Sequence, residues 1–150
     1  MLRITKQTDY GIVLLSRMAA EPERLFNAPE LSAEAQLPLP TVSKILKLLA
    51  RDGVLLSHRG VHGGYSLSRA PEAITVAEII TSLEGAIAIT ECIEDGPHDC
   101  EQQGRCRVQA NWQVINGAIR RALQGISLRD MAGPLPQLVQ LGALRAGSRS

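Results

Sequence analysis

The chain has 150 residues, of which 45% are hydrophobic, 21% are charged and 3% are aromatic. This length and composition are typical of one small globular domain with room for a dimerisation arm, and they exclude wholesale disorder. No apolar run approaches the roughly 20 residues of a membrane span, and residues 1–9 lack the apolar stretch of a signal peptide. Three cysteines are too few for a disulfide framework, so we expect a cytoplasmic protein with no membrane partner.

The net charge of +1 conceals three segments that differ strongly in charge. Residues 1–70 carry a net charge of +3, residues 71–101 carry −8, and residues 102–150 carry +6. A basic first segment favours contact with a polyanion such as nucleic acid. The acidic centre does not, but it is compatible with a cationic metal centre close to the cysteines.

Two helices are predicted at the start of the chain, joined by a loop that contains proline. The first covers residues 8–20, where apolar residues recur at helical spacing and Thr8 or Asp9 is expected to be the N-cap. The second covers residues 29–36 and has Pro29 in its first turn, where proline is favoured. A tight turn follows, so a helix–turn–helix pair is expected.

The third predicted helix runs from Pro40 to Asp52 and is stopped by Gly53. Its apolar residues, at spacing i, i+3, i+4 and i+7, are expected to face the core: Val42, Ile45, Leu46 and Leu49. The opposite face carries polar and basic residues: Thr41, Ser43, Lys44, Lys47 and Arg51. In a helix–turn–helix pair this second helix lies in the major groove of DNA.

Two short strands follow, over residues 54–58 and 64–68, and the glycine-rich segment 59–63 joins them into a hairpin. This order of elements is that of a winged helix–turn–helix. The predicted fold is therefore mainly α-helical with a small β-hairpin wing. DNA binding is the expected function, and a winged helix that binds only proteins is the alternative.

The predicted DNA-contacting residues lie on the third helix and on the wing. Base edges are expected to be read from the amino-terminal end of the helix, by Pro40, Thr41, Ser43 and Lys44. Lys47 and Arg51, one and two turns further on, are better placed for phosphates. Arg59 at the wing tip can enter a narrow minor groove, and Tyr65 can brace the wing or contact a phosphate.

A fourth helix is predicted over residues 75–84, where Thr75 and Glu78 form a capping box. A last, long helix is predicted from about Arg105 to Gly125 or beyond. Its apolar residues are spaced 4, 3, 4, 3 and 4 apart: Val108, Trp112, Ile115, Ile119, Ala122 and Ile126. This alternation is typical of the seam of a coiled coil and favours a two-fold dimer, with packing on the helix's own domain as the alternative.

The expected organisation of the chain has four parts. A winged helix–turn–helix domain covers residues 1–85, and a cysteine-bearing loop covers 86–104. A dimerisation helix covers 105–132, and a flexible tail covers 133–150. No nucleophile–base pair or acid–base carboxylate pair is evident, and the glycines of the wing lack the Lys-Ser/Thr of a phosphate-binding loop. We therefore expect no enzymatic activity and no small-molecule substrate.

Three cysteines follow the pattern Cys-x7-Cys-x5-Cys in the acidic loop: Cys92, Cys100 and Cys106. Three thiolates on one loop can bind one soft metal centre, but the spacing is not that of a zinc finger, which uses close cysteine pairs. The spacing favours an iron–sulfur cluster and leaves open a zinc site, a thiol redox switch or free cysteines. Residues near enough to supply a fourth ligand are Glu94, His98, Asp99, Glu101 and Gln109.

Four features together resemble the IscR/NsrR-type winged-helix transcription regulators. They are the start MLRITKQTDY at residues 1–10, the wing RGVHGGYSLSR at 59–69, the three-cysteine loop and the long helix. The resemblance covers residues 1–132 and is greatest to regulators of the SUF iron–sulfur assembly system. It implies a bacterial homodimer that represses suf genes from a palindromic DNA operator and holds one iron–sulfur cluster per subunit, [2Fe–2S] in preference to [4Fe–4S]. A regulator that responds to nitric oxide or redox stress is the alternative.

The resemblance also implies roles for single residues. The cluster ligands by matched position are Cys92, Cys100 and Cys106. The IscR branch has a histidine three residues after its third cysteine, whereas this chain has Gln109 there. In the NsrR branch an aspartate near the N-terminus, matched here by Asp9, completes the cluster of the partner subunit. Asp9 is therefore the first candidate for the fourth ligand, and His98 is the second.

Overall fold

The computed structural model describes residues 3–93, 101 and 104–133 of the chain. In chain order its helices and strands are α1 (Lys6–Ala19), α2 (Ala28–Ala35), α3 (Leu39–Arg51), β1 (Leu55–His58), β2 (Gly64–Leu67), α4 (Val76–Glu84), α5 (Gln109–Gln124) and α6 (Leu128–Ala132). Turns of 3₁₀ helix lie at Pro71–Ala73 and Glu91–Ile93. The prediction of a mainly helical fold with one β-hairpin is confirmed. Within the described ranges, every helix is too short or too polar to cross a membrane.

The predicted N-cap of α1 is wrong, because the helix begins earlier. Thr5 is the N-cap, and its side chain accepts a hydrogen bond from the amide of Thr8. The amide and hydroxyl of Thr5 donate to Glu84 Oε1 at the end of α4, at 2.8 and 2.9 Å. Asp9 lies in the first helical turn and its amide donates to the Thr5 carbonyl. A contact between residues distant in sequence therefore sets the start of α1.

The hydrophobic core lies where α1, α3 and α4 meet. The apolar stripe predicted on α3 is confirmed, since all four residues are completely buried: Val42, Ile45, Leu46 and Leu49. They form one cluster with Leu14, Leu15 and Met18 of α1 and with Ile79 of α4. Complete burial of such a side chain contributes about 1.5–3 kcal/mol. The core therefore holds α3 by one face and leaves the opposite face outside.

The turn between α2 and α3 is held from the α2 side. Gln36, the C-cap of α2, adopts a left-handed conformation at φ +54°, which ends the helix. Ser32 Oγ donates to the carbonyl of Leu37 at 2.6 Å, and the Leu37 amide donates to the carbonyl of Ser32 at 3.1 Å. Pro38 then begins α3 without a side-chain cap. These contacts fix where α3 starts relative to α2.

The wing is an antiparallel hairpin in which Leu55 pairs with Leu67 and His58 with Gly64. A further backbone bridge, absent from the sequence prediction, joins Phe26 to Tyr65. The Phe26 amide donates to the Tyr65 carbonyl at 2.9 Å, and the Tyr65 amide donates to the Phe26 carbonyl at 2.7 Å. The segment just before α2 is thereby attached to the wing.

The last part of the chain corrects the prediction of one helix over residues 105–132. α5 ends at Gln124, with Gly125 as its C-cap, and α6 is a separate helix of five residues. Ser127 and Asp130 form a capping box that starts α6. Leu128 is completely buried, and α6 packs against α1. The chain breaks here because Leu128 enters the core, so Ile126 is not part of the α5 seam.

Candidate DNA interface and cysteine segment

The outer face of α3 carries the residues that the sequence predicts to contact DNA. Pro40, Lys44 and Lys47 are exposed, and Thr41 and Ser43 are half-buried. A shallow groove along this face is lined by Pro40, Ser43, Lys44, Lys47, Leu48 and Arg51. Among the ion pairs of the described residues, Lys44 and Lys47 take part in none. The structure therefore brings five of the six predicted α3 residues to one surface with two uncompensated cations.

Arg51 differs from the two lysines, because its charge is already paired. Its Nε and Nη2 donate to the two carboxylate oxygens of Asp52, both at 3.0 Å. Ser82 Oγ of α4 donates to Asp52 Oδ2 at 2.8 Å. The pKa of Asp52 is lowered by the hydrogen bond from Arg51 and then by the one from Ser82. Sequence reasoning missed Asp52, whose carboxylate already pairs with the guanidinium that was predicted to contact a phosphate.

The tip of the wing exposes Arg59 to solvent, together with Val61, which is 98% exposed. The two glycines after the tip are required by close backbone approach. A Cβ added at Gly63 would lie closer than 3.0 Å to the carbonyl oxygen of His58, and one added at Gly64 would overlap the carbonyl of Phe26. The Gly-Gly pair therefore lets the hairpin close and lets it dock on the chain before α2.

Tyr65 lies at the base of the wing. Its side chain is half-buried against the core, and its backbone forms the bridge to Phe26. Across the hairpin, His58 Nε2 and Ser66 Oγ are 2.8 Å apart. The wing is therefore held at its base by backbone bonds and core packing, while Arg59 lies free at its end.

Two of the three cysteines lie within the described residues. Cys92 lies in the 3₁₀ turn after α4 and Cys106 lies just before α5, and both are half-buried free thiols. The Sγ of Cys92 is 3.2 Å from Thr90 Oγ1. Cys100 and His98 fall outside the described residues. The parts of the chain that the structure describes contain no cluster of three or more metal-ligating side chains.

The candidate fourth ligands have different positions. Asp9 is exposed on the first turn of α1, so its carboxylate is open to a neighbouring molecule. Gln109, which stands where the resemblance expects histidine, is the half-buried first residue of α5. The structure therefore leaves Asp9 accessible from outside the chain.

α5 leaves much of its predicted seam uncovered. Val108 at its N-cap is 48% exposed, Trp112 is 39% exposed and Ile115 is 44% exposed. Further along the helix, Ile119 is half-buried. α5 contacts α4 and the 3₁₀ turn of the predicted cysteine-bearing loop 86–104, which we call the cysteine segment. These contacts do not cover Trp112 in the seam. An apolar face of this kind marks an interaction site.

Asn116 is a site residue that sequence reasoning missed. It is the only buried residue of α5, at 3% exposure. Its Nδ2 donates to the carbonyl of Ile87 at 3.0 Å, and its Oδ1 accepts from the amide of Ile89 at 3.2 Å. The available signal was one asparagine beside an apolar seam. Asn116 ties α5 to the segment that leads into Cys92.

Comparisons with known proteins agree with this architecture. The Rrf2 family model, described as an iron-dependent transcriptional regulator, matches residues 4–134. Protein aau3 of Rhizobium meliloti is 32% identical over 91% of this chain and 89% of its own length. The regulator IscR of Erwinia tasmaniensis is 25% identical over 87% of this chain and 78% of its own length.

Among solved structures, CymR, the global cysteine regulator of B. subtilis, matches with a TM-score of 0.67 and 28% identity. The match covers 88% of this chain and 97% of CymR. The winged helix–turn–helix, the extent of the family match and these relatives agree on one conclusion. The chain belongs to the Rrf2 family of transcriptional regulators, and it is not an enzyme.

Proposed function

We propose that the chain is a homodimeric repressor that binds a palindromic operator of suf-type iron–sulfur assembly genes and senses an iron–sulfur cluster in the bacterial cytoplasm. One observation carries this proposal. Cys92 and Cys106 flank the connection between the winged helix–turn–helix and α5, whose apolar face is uncovered. A group bound there would act at the joint between the DNA-binding part and the dimerisation helix.

DNA would be bound in the usual geometry of a helix–turn–helix protein, with α3 in the major groove. Thr41, Ser43 and Lys44 lie in the amino-terminal half of α3, where short polar and basic side chains reach base edges. Lys47, one turn further on, would neutralise a phosphate, and Arg59 would enter the minor groove. The exposure of Lys44, Lys47 and Arg59 supports these roles.

A second copy of the chain would cover the seam of α5. The exposed Trp112 and Ile115 support this assignment, because a soluble chain rarely leaves such side chains unpartnered on one helix. A two-fold dimer also places two copies of α3 in successive turns of the same DNA groove, about 34–36 Å apart. The proposed dimerisation region, residues 105–132, then comprises α5 for contact with the partner and α6 for attachment to the winged domain.

The donor set suits an iron–sulfur cluster, in which cysteine thiolates are the usual ligands. Cys92, Cys100 and Cys106 would hold it, and the two described thiols are free and half-buried. Asp9 is the first candidate for the fourth ligand, because its exposure leaves it within reach of a second subunit. His98 is the second candidate. A fourth ligand other than cysteine suits a [2Fe–2S] site that loses or exchanges its cluster.

Binding of a cluster to the cysteine segment would change the geometry of the dimer. The segment contacts α5, and α4 is bonded to the end of α3 by the hydroxyl of Ser82. A change in the segment therefore reaches both the dimerisation helix and the reading helix through direct contacts. Since the spacing of the two half-sites on DNA is fixed, a small change in the distance between the two α3 helices alters DNA affinity.

A thiol- or zinc-based regulator on the same scaffold is the second candidate. Gln109 favours it, because an amide stands where the resemblance expects a ligating histidine. The three thiols would then be oxidised, or would hold zinc, without a resident cluster. A nitric-oxide-responsive regulator is a variant of the first candidate, since it would use the same cluster ligands.

Anaerobic purification separates these candidates. The cluster proposal predicts a brown protein with iron and sulfide in equal amounts, and a different affinity for a suf promoter fragment before and after the iron is removed by a chelator. A colourless protein whose DNA affinity follows thiol oxidation or zinc content would establish the second candidate. Equal DNA affinity with and without cluster would overturn the sensing role. A Ser43→Ala variant should alter the preferred operator sequence.

A further inference from the structure

The one side chain of α5 that is buried is polar, where an apolar residue is expected. Trp112, Val114 and Ile115 are 39–69% exposed, whereas Asn116 is 3% exposed. Burial of a polar side chain is unfavourable unless its donors and acceptors are satisfied. The buried asparagine therefore has a specific partner, and that partner is the cysteine segment.

The side-chain amide of Asn116 is bonded to the backbone of this segment on both sides of Ala88. Nδ2 donates to the carbonyl of Ile87 at 3.0 Å, and Oδ1 accepts from the amide of Ile89 at 3.2 Å. Aspartate has no donor for the first bond, and leucine has neither a donor nor an acceptor. The pair of bonds therefore depends on an amide at this position and fixes the register between α5 and the segment.

The connection from this contact to the first cysteine is short and structured. Cys92 is three residues beyond Ile89, and the amide of Ile93 donates to the carbonyl of Thr90 at 3.1 Å across a 3₁₀ turn. The Sγ of Cys92 is 3.2 Å from Thr90 Oγ1. The two bonds of Asn116 therefore hold the backbone just before Cys92 on α5, next to the direct contacts between α5 and the 3₁₀ turn.

The third cysteine reaches the same helix by another route. Cys106 is three residues before the first residue of α5, and the carbonyl of the N-cap Val108 accepts from the amide of Trp112 at 3.0 Å. Covalent connection thus positions Cys106, while hydrogen bonds position Cys92. The hydrogen bonds of Asn116 can break and re-form without unfolding α5. We therefore expect the position of Cys92 relative to α5 to change more easily than that of Cys106.

We infer that Asn116 is a positioning residue: it holds Cys92 at a fixed place relative to α5 and transmits a change at the cysteines to the dimerisation helix. The second part of this inference rests on the proposed function, but the first does not. Among the described residues, the side chain of Asn116 is bonded to the backbone of Ile87 and Ile89 and to neither Cys92 nor Cys106, so it acts through the backbone of this segment.

The first test measures thiol reactivity in the reduced, cluster-free full chain. Asn116→Asp and Asn116→Leu are compared with wild type, and Asn111→Leu is the matched control, since Asn111 is an exposed asparagine of the same helix. Iodoacetamide labelling is followed at each cysteine by mass spectrometry. We expect Cys92 to react at least fivefold faster in both Asn116 variants and at the wild-type rate in the control.

Two further measurements on the same variants distinguish general unfolding of the protein from a local loss of the position of Cys92. Labelling of Cys106 should change by less than twofold, because its position depends on chain connection to α5. Amide hydrogen exchange should accelerate at Ile89 and stay unchanged at the core residue Leu46. Unchanged reactivity of Cys92 in the two Asn116 variants would overturn the inference, and so would equal acceleration at all these sites.

The second test measures whether Asn116 transmits the state of the cysteines to DNA binding. If the wild type binds a suf promoter fragment with different affinity in its cluster-loaded and cluster-free forms, Asn116→Asp should bring that ratio to within threefold of one. A ratio unchanged from wild type would overturn transmission through Asn116. If the wild type itself binds with equal affinity in both forms, the proposed sensing is wrong, and so is transmission through Asn116. The labelling of Cys92 still decides the positioning role independently.

Discussion

Thr75 and Ser127 lie opposite each other in an antiparallel β-bridge, and each is the N-cap of a helix with a capping box. The amide of Val76 donates to the carbonyl of Ile126 at 2.9 Å, and the amide of Leu128 donates to that of Ile74 at 2.7 Å. α4 and α6 therefore begin side by side. The chain returns to the winged domain directly after α5, so the carboxyl end of α5 is held next to the start of α4.

Substitution of Gly64 by alanine should detach the wing. The added Cβ would overlap the carbonyl of Phe26, and the backbone at Gly64 has φ +155°. We expect a loss of about 2–4 kcal/mol in unfolding free energy, measured by urea denaturation. Gly60→Ala is the control: φ is +109°, but no atom lies within 4 Å of the added Cβ. Equal losses in the two variants would show that backbone strain, and not the bridge to Phe26, sets the cost.

Asp52→Asn should strengthen DNA binding, because it releases the guanidinium of Arg51 from its bidentate ion pair. We expect the slope of log affinity against log salt to steepen by about one, as for one additional phosphate contact. In wild type, Arg51→Ala should then weaken binding less than Lys47→Ala. The double variant Arg51→Ala/Asp52→Asn should lose the gain. A gain that persists in the double variant would mean that Asp52 acts through its own repulsion of DNA.

Ile115→Glu should produce a monomer that still folds. The side chain is 44% exposed in the single chain, so the added charge would disturb the proposed subunit contact and not the core. Sedimentation velocity should show a species of half the mass, with a helical circular-dichroism spectrum unchanged from wild type. Val114→Glu is the matched control, since Val114 is 69% exposed and outside the seam. Dissociation by both variants, or by neither, would contradict the assigned seam.

Acid should weaken the attachment of α6. The pKa of Asp130 is lowered by hydrogen bonds from the backbone and then the side chain of Ser127. A carboxylate with a lowered folded-state pKa stabilises the protein above its unfolded pKa of about 3.9, and this contribution disappears as the pH falls through the folded value. The difference in unfolding free energy between wild type and Asp130→Asn should therefore be constant near neutral pH and shrink below about pH 4. A difference that grows on acidification would contradict this sign.

The elements that sequence predicted well are those set by local spacing. The α3 stripe repeats within one helix, the capping box of α4 spans four residues, and the wing is marked by its own glycines. Each of these signals lies within about a dozen residues of the element it specifies. Signals that lie within single elements were therefore enough to predict the winged helix–turn–helix.

Apart from the ion pair between the neighbours Arg51 and Asp52, the missed features depend on contacts between distant parts of the chain. The N-cap Thr5 is bonded to Glu84, 79 residues away. The break after α5 is explained by burial of Leu128 against α1, and the helical spacing of Ile126 concealed it. Asn116 reads as an ordinary helix residue until Ile87 and Ile89 are placed beside it. No pattern within a single segment contains this information.

The bridge at Phe26 has a consequence for how a half-site is recognised. Phe26 is bonded to the wing, and the guanidinium groups of Arg17 and Arg24 lie over its ring. The next residue, Asn27, caps α2 by accepting from the amide of Glu30. The hairpin and the helix that supports the reading helix are thereby joined through two adjacent residues. If α3 and the wing contact DNA as proposed, their contacts with the two grooves should keep a constant offset, so an effector would tune binding by changing the distance between two winged domains that stay rigid.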